Sequence, residues 1–155
     1  SKKIELYNGR YEENGIDPMP VYHPPQSVPK GLFRIVVGRN AYITQSASTN
    51  NALLWELEQE NTLWIHPDSA KELAVRQGDR VEVKSPAGCG QLKALVTEKI
   101  RPDTVYMDTG FGVISKGLSK IFGKGACIVD VLIDEADEIS GNMAMHETIV
   151  SVAKV

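Results

Sequence analysis

The clearest signal along the chain is an alternation. In "DRVEVKS", Val81 and Val83 point one way while Arg80, Glu82 and Lys84 point the other, the period of a half-buried strand. "PAGCG" then reads as a turn carrying two glycines, and "QLKALVTE" returns as the partner strand of a hairpin. "LFRIVVG", "TLWIH" and "DTVYM" are short runs of apolar, β-branched and aromatic residues, and each predicts a further strand. "IVDVLI" and "ETIVSVAKV" supply the last apolar runs, on either side of the turn-rich "DEISGN".

Helical spacing is rarer. "ALLWELEQE" predicts a short helix with Leu53, Leu54 and Leu57 on one face. "PDSAKELAVRQG" carries proline and acid at its front and glycine at its back, the chemistry of helix ends. "SKGLSKIF" is a weaker helical pattern, interrupted by Gly117. Several short strands with a few short helices predict a mainly β, closed or sandwiched architecture with helical inserts. Too few full helices are present for a doubly wound parallel sheet.

The front of the chain differs. Five of the eight prolines (Pro18, Pro20, Pro24, Pro25 and Pro29) fall in its first thirty residues. "DPMPVYHPPQSVPKG" forms neither a helix nor a central strand, because proline lacks an N–H and restricts the residue before it. Residues 1–31 are expected to be an extended arm or linker, and residues 32–155 the packed domain.

Composition narrows the function. The chain has 155 residues, enough for one domain, and 42% hydrophobic and 24% charged residues are ordinary for a globular protein. A net charge of −3 with both signs intermixed argues against nucleic acid as a partner. No apolar run approaches the roughly 20 residues of a membrane-spanning helix. A start at Ser1 without a signal-peptide pattern suggests a processed product or a piece of something longer.

Most candidate chemistry reads as bland. Cys89 and Cys127 make no C-x-x-C and read as small apolar side chains, with a single disulfide left open. Ser115 in "GVISKG" misses a nucleophile elbow by one residue, and no local motif joins His23, His66 or His146 to a serine. Asp130, Asp134, Glu135, Asp137 and Glu138 lack the spacing of a calcium loop and read as a solvated acidic loop. "GFG" at Gly110, Phe111 and Gly112 marks a close passage of backbone, against either another segment or a ligand.

The strongest candidate is "GRNAYITQSASTNN". Gly38 ends a strand and frees the backbone for close approach, and Arg39 sets a planar bidentate donor beside it. Thr44, Ser46, Ser48 and Thr49 bring four hydroxyls, and Asn50 and Asn51 both donate and accept. That mixture suits an uncharged heterocycle joined to a pyrophosphate better than a metal. On composition alone, a capped polar loop leading into a helix at Ala52 is the simpler reading.

From "FRIVVGRNAYITQSASTNNALLWELEQ" through "DTVYMDTGFG", and again in "ISGNMAMHETIVSVAKV", the chain resembles the C-terminal dinucleotide-binding domain of molybdopterin oxidoreductases of the dimethyl-sulfoxide-reductase superfamily. Its proline-rich arm "GIDPMPVYHPP" is similar to that of the thiosulfate and polysulfide reductase catalytic subunits. The resemblance implies a six-stranded double-psi β-barrel that binds part of a molybdopterin guanine dinucleotide carrying molybdenum or tungsten. It implies cofactor contacts from Gly38, Arg39, Thr44, Ser46, Ser48, Asn50 and Asn51, with Gly110, Phe111 and Gly112 opposite and His146 near the same face. Related members usually carry histidine where Ile43 and Gln45 stand, threonine at Ser48, and proline or a similar residue at Asp108. Gln45 and Ser48 keep polar groups, whereas no side-chain contact is expected from Ile43.

Nothing in the chain matches the iron–sulfur cysteines or the metal ligand of such enzymes, so no catalytic or metal-ligating residue is expected here. The resemblance implies one domain of a catalytic subunit, inactive by itself. Its implied partners are the remaining domains, an iron–sulfur electron-transfer subunit and a membrane anchor, on the extracytoplasmic side. Two other readings of such a barrel are a protein-binding module and a self-processing decarboxylase, the latter needing a Gly-Ser pair that the sequence lacks. Formate dehydrogenases and nitrate reductases of the same superfamily are further alternatives.

Overall fold

A computed structural model describes residues 2–19, 21–137 and 139–155. Pro20 of the expected arm and Glu138 of the acidic loop, like Ser1, lie outside the described residues. Six strands close into a barrel: β1 (Phe33–Gly38), β2 (Thr62–Ile65), β3 (Arg80–Lys84), β4 (Cys89–Val96), β5 (Thr104–Asp108) and β6 (Ile149–Lys154), in the order β1-β5-β2-β4-β3-β6. Closure removes every free sheet edge, so each strand has two neighbours. The β3–β4 hairpin pairs antiparallel from Arg80↔Lys93 to Lys84↔Cys89, as its alternation predicts.

Exchanging each strand with the one three places later in the chain reproduces the same order. The parallel pair β1/β5 becomes the parallel pair β4/β2, and every antiparallel pair finds an antiparallel counterpart. Two three-stranded halves are thus interlocked about a pseudo-twofold axis, as the double-psi barrel requires.

Each strand sends two residues inward, spaced two apart: Phe33 and Ile35, Leu63 and Ile65, Val81 and Val83, Leu92 and Ala94, Val105 and Met107, Val150 and Val152. All twelve are buried in one cluster, each large one contributing about 1.5–3 kcal/mol of transfer free energy. Ala70 and Val75, from and just after the helix Pro67–Glu72, join it. So do Ala126, Ile128, Val131 and Leu132 from the β5–β6 connection. That helix starts as its sequence predicts: Pro67 occupies its first turn and the His66 side chain accepts from the Asp68 N–H at 3.2 Å.

Four expectations change. The arm contains a short helix, residues 9–13, capped by the Asn8 side chain, while residues 21–29 have no regular secondary structure. "ALLWELEQE" forms only one turn, Ala52–Trp55, and Leu53 and Leu57 are 75% and 62% exposed, so their shared face does not meet the barrel core. "SKGLSKIF" gives successive turns, with Leu118 N–H bonded to Ser115 O and Ile121 N–H to Leu118 O, because buried Ile121 is drawn inward. "IVDVLI" is a single 3₁₀ turn at Ile128–Asp130 whose Ile128, Val131 and Leu132 plug the core instead of extending the sheet.

Candidate functional site

Strands β1 and β5 run parallel and end in register, Gly38 beside Asp108. The two longest connections therefore leave the barrel at the same rim. One begins at Arg39 and the other at Thr109, whose N–H donates to Gly38 O at 3.1 Å. A ring packs tightly at this corner: a side chain on residue 38 would put its Cβ 2.2 Å from the Tyr106 hydroxyl, so only glycine fits.

The first connection is organised largely by its own polar side chains. Asn40 Oδ1 accepts from the Tyr42 N–H at 2.8 Å, and Ser48 Oγ accepts from the Thr44 N–H at 2.7 Å. Thr49, 2% exposed, donates to Ser46 O at 3.1 Å. Asn51 caps helix Ala52–Trp55 through the Leu53 N–H at 2.9 Å, and Asn50 accepts from the Lys120 N–H at 2.9 Å, tying this connection to the second. Ile43, 7% exposed, anchors the loop by burial, which is the role its apolar side chain can fill. Ser48, Asn50 and Asn51 thus shape the loop. Arg39, Thr44 and Ser46 are exposed, and the Thr44 and Ser46 hydroxyls bond to nothing among the described residues. With the Gln45 amide oxygen turned toward it, Arg39 donates to that oxygen from Nη2 at 3.1 Å and from Nε at 3.2 Å.

The second connection closes against the first. Gly110 lies on the Gln45–Ser46 backbone, where an added Cβ would fall 2.6 Å from Gln45 C. Gly112, at φ +75°, lies on the Ala126–Cys127 backbone, and buried Phe111 sits between them. "GFG" is therefore a close approach to other segments of this chain. Between the two connections lies a cleft of about 450 Å³ lined by Gln45, Ser46, Thr109, the three residues of "GFG", and Cys127 to Val129. Thr109, one of the lining residues, has its Oγ1 buried without a hydrogen-bond partner among the described residues. His146 stands on the other flank of β1, where its Nδ1 accepts from the Val37 N–H at 3.4 Å.

Two groups that the sequence did not single out hold this rim. Asn61, the fully buried residue before β2, donates from Nδ2 to Asp108 O at 2.8 Å and Ala126 O at 2.9 Å, and accepts from the Ala126 N–H at 3.0 Å. It bonds the end of β5 to the far wall of the cleft. Behind the corner, the Tyr106 hydroxyl donates to Asp108 Oδ1 at 2.5 Å, the Tyr106 ring packs on Trp64 at 4.7 Å, and Asn40 Nδ2 donates to Glu58 Oε2. Burial, then the nearby Asp108 charge, push the Glu58 carboxyl up to about 7 despite the Asn40 bond. Burial and the bond to Asp108 also raise the Tyr106 phenol.

The other singled-out groups lie elsewhere. Cys89 and Cys127 are free thiols. Asp137 accepts from the Ile139 and Ser140 N–H groups at 3.1 and 2.6 Å, closing a turn. Asp130, Asp134 and Glu135 are exposed.

Residues 33–149 match the family model described as "Molydopterin dinucleotide binding domain", well over half of the chain. The chain belongs to the molybdopterin dinucleotide-binding domain family. It is 36% identical over 117 residues to the thiosulfate reductase molybdopterin-containing subunit PhsA of Salmonella typhimurium, covering 72% of this chain and 15% of that protein. It is 34% identical over 97 residues to the arsenate respiratory reductase subunit ArrA of Chrysiogenes arsenatis, covering 59% and 12%. Acetylene hydratase from Pelobacter acetylenicus shares the fold, at a TM-score of 0.83 and 20% identity over 99% of this chain and 23% of the hydratase. The chain thus spans less than a quarter of the length of each of these relatives.

Ser46 and Thr109 line the cleft, whose floor is backbone held at Gly110 and Gly112, while the exposed Arg39 and Thr44 belong to the connection on its one side and do not line it. Hydroxyls of this kind are donors that a pterin can use, and a guanidinium is one that a phosphate can use.

Proposed function

We propose that this chain is the dinucleotide-binding barrel of a molybdenum or tungsten oxidoreductase, of the thiosulfate or polysulfide reductase type, and that it holds molybdopterin guanine dinucleotide at the β1/β5 rim. One observation carries the site: Thr109, which lines the cleft with Gln45 and Ser46, has a buried hydroxyl with no partner among the described residues. A buried hydroxyl without a partner costs about 1–3 kcal/mol, which a bound polar group recovers. The similarity to the thiosulfate reductase subunit supports the choice of reductase.

In this reading Arg39 meets a phosphate or a pterin carbonyl, Thr44 and Ser46 donate to the pterin, and Ser48, Asn50 and Asn51 act by fixing the loop. Gly110, Phe111 and Gly112 form the opposing wall, and His146 orients the end of β1. When bound, the metal and its dithiolenes supply the two-electron chemistry, and the protein supplies orientation and hydrogen bonds. No residue of this chain is assigned to catalysis, and turnover requires the remaining domains with their iron–sulfur cluster. An iron–sulfur subunit and a membrane anchor are the proposed partners.

The test uses the full-length reductase. Arg39→Ala removes a charge-assisted bond of about 1.5–3 kcal/mol and should weaken cofactor retention about tenfold or more. Thr109→Val keeps the shape and removes the orphan hydroxyl, so it should lower molybdenum and guanine content while the unfolding midpoint of the cofactor-free protein does not fall and should rise. Full metal and guanine content in both variants would overturn the site.

A further inference from the structure

Strand β6 pairs with β1 at only two positions, Phe33↔Val150 and Arg34↔Ile149, with one further bond from the Ile35 N–H to Thr148 O at 3.1 Å. Before Thr148 the chain is no longer a strand but the 3₁₀ turn Met145–Glu147. N–H groups two residues apart on a strand point the same way, so Val37 is the next on that flank of β1 to need an acceptor. A side chain supplies it: His146 Nδ1 accepts from the Val37 N–H at 3.4 Å. With Nδ1 as acceptor, the ring proton sits on Nε2. The imidazole thus takes the place of a strand neighbour two residues before Arg39.

Arg34 holds that turn in place. Its side chain is 15% exposed and donates from Nη1 to His146 O at 2.8 Å and to Glu147 Oε2 at 2.5 Å. From Nη2 it donates to Gln26 O in the proline-rich arm. One planar fork therefore joins the arm, β1 and the 145–147 turn. Asp103 O accepts from the Arg34 N–H, but the Asp103 carboxylate is engaged by Arg101 at 2.8 Å, which leaves Glu147 as the ionic partner of Arg34. A cavity of about 390 Å³ lies between Gln26 and the start of β5 at Asp103 and Thr104. At this point the arm is fastened to the barrel by the polar fork rather than by apolar packing.

We propose that Arg34 is a positioning residue for the cofactor rim. It clamps the arm and the 145–147 turn to β1, keeps His146 on the Val37 N–H, and so fixes the strand end from which Arg39 leaves. Arg34 itself touches no ligand, and the arm becomes a strap of the site as well as a tether. A lysine serves less well, because one ammonium lacks the planar fork that reaches two carbonyls and a carboxylate together. The inference rests on the reading that the β1/β5 rim holds the cofactor, and measurements without cofactor separate the two.

In the cofactor-free full-length protein, Arg34→Met should quicken amide exchange of Val37 about three- to tenfold, the loss of one hydrogen bond of ordinary net worth. It should also move the His146 imidazole ¹⁵N signals from the fixed Nε2–H tautomer toward the average of the two, which an arginine that only stabilises the fold would not do. His146→Ala should quicken Val37 to a similar degree, and adding Arg34→Met to it should quicken Val37 no further. Arg34→Lys should act in the same direction by a smaller factor and serves if the methionine variant does not fold. Unchanged Val37 exchange, an unchanged imidazole tautomer, or additive effects in the double variant would overturn the positioning role. In the loaded reductase, Arg34→Met should lower molybdenum and guanine retention about as much as His146→Ala does. Full retention in Arg34→Met where Arg39→Ala loses cofactor would also overturn it. If exchange and tautomer respond as expected while Arg39→Ala and Thr109→Val keep full cofactor, the reading of the rim fails and the Arg34 clamp on the end of β1 stands.

Discussion

Asn61→Ala should lower the stability of the chain by about 3–6 kcal/mol, read as a fall in the urea midpoint with an unchanged slope. The cause is not lost apolar area. Asn61 is fully buried and answers three backbone groups, Asp108 O, Ala126 O and Ala126 N–H. Each group left without a partner costs about 1–3 kcal/mol. Asn61→Asp separates the explanations, because it keeps the volume and fills the same space. It exchanges the amide donors for a carboxylate facing two carbonyl oxygens, so it should be at least as damaging as alanine. An aspartate variant near wild-type stability would mean that the Asn61 amide does not hold these carbonyls.

Gly112→Ala should cost about 3 kcal/mol or more and push the 126–128 segment away from "GFG". Two effects add here. At φ +75° a Cβ costs about 1–2 kcal/mol in backbone conformation alone. That Cβ would also fall 2.1 Å from Cys127 N and 2.5 Å from Ala126 C, backbone atoms that the Asn61 bonds hold in place. Gly123→Ala supplies the control: at φ +67° and with nothing within 4 Å of the added Cβ, it should show the conformational cost alone. Equal losses in the two variants, by thermal or urea unfolding, would remove the steric part of the account.

The strands were legible because a half-buried strand writes its two faces into alternate residues. Val81 and Val83 in "DRVEVKS" point inward as their alternation predicts, and the hairpin register follows from it. Segments outside the sheet were less legible. Leu53 and Leu57 carry a helical period yet stay exposed, while the apolar run at 128–132 folds over the core as a turn. Apolar residues state that they are buried somewhere, but not against what.

The polar loop shows the same division. Its composition suggested a surface for a polar ligand, and one sequence could not separate hydroxyls that meet a ligand from those that shape the loop. The fold does, since Ser48, Asn50 and Asn51 spend their polar atoms on Thr44, Lys120 and Leu53, while the Thr44 and Ser46 hydroxyls bond to nothing among the described residues. Thr109, Asn61 and Glu58 drew no attention as single residues. Their importance comes from partners 47 to 65 residues away or from a partner that is missing, as with Asn61 and the Asp108 and Ala126 backbone.

By itself, then, the sequence determined a mainly β domain, the strand faces, and a polar segment after β1, because local period and side-chain chemistry are local facts. Tertiary structure alone decided that β1 and β5 end side by side, which connection closes over which, and which carboxylates share a corner. Those depend on a parallel pairing across about seventy residues, Gly38 with Asp108, that no short window of sequence contains.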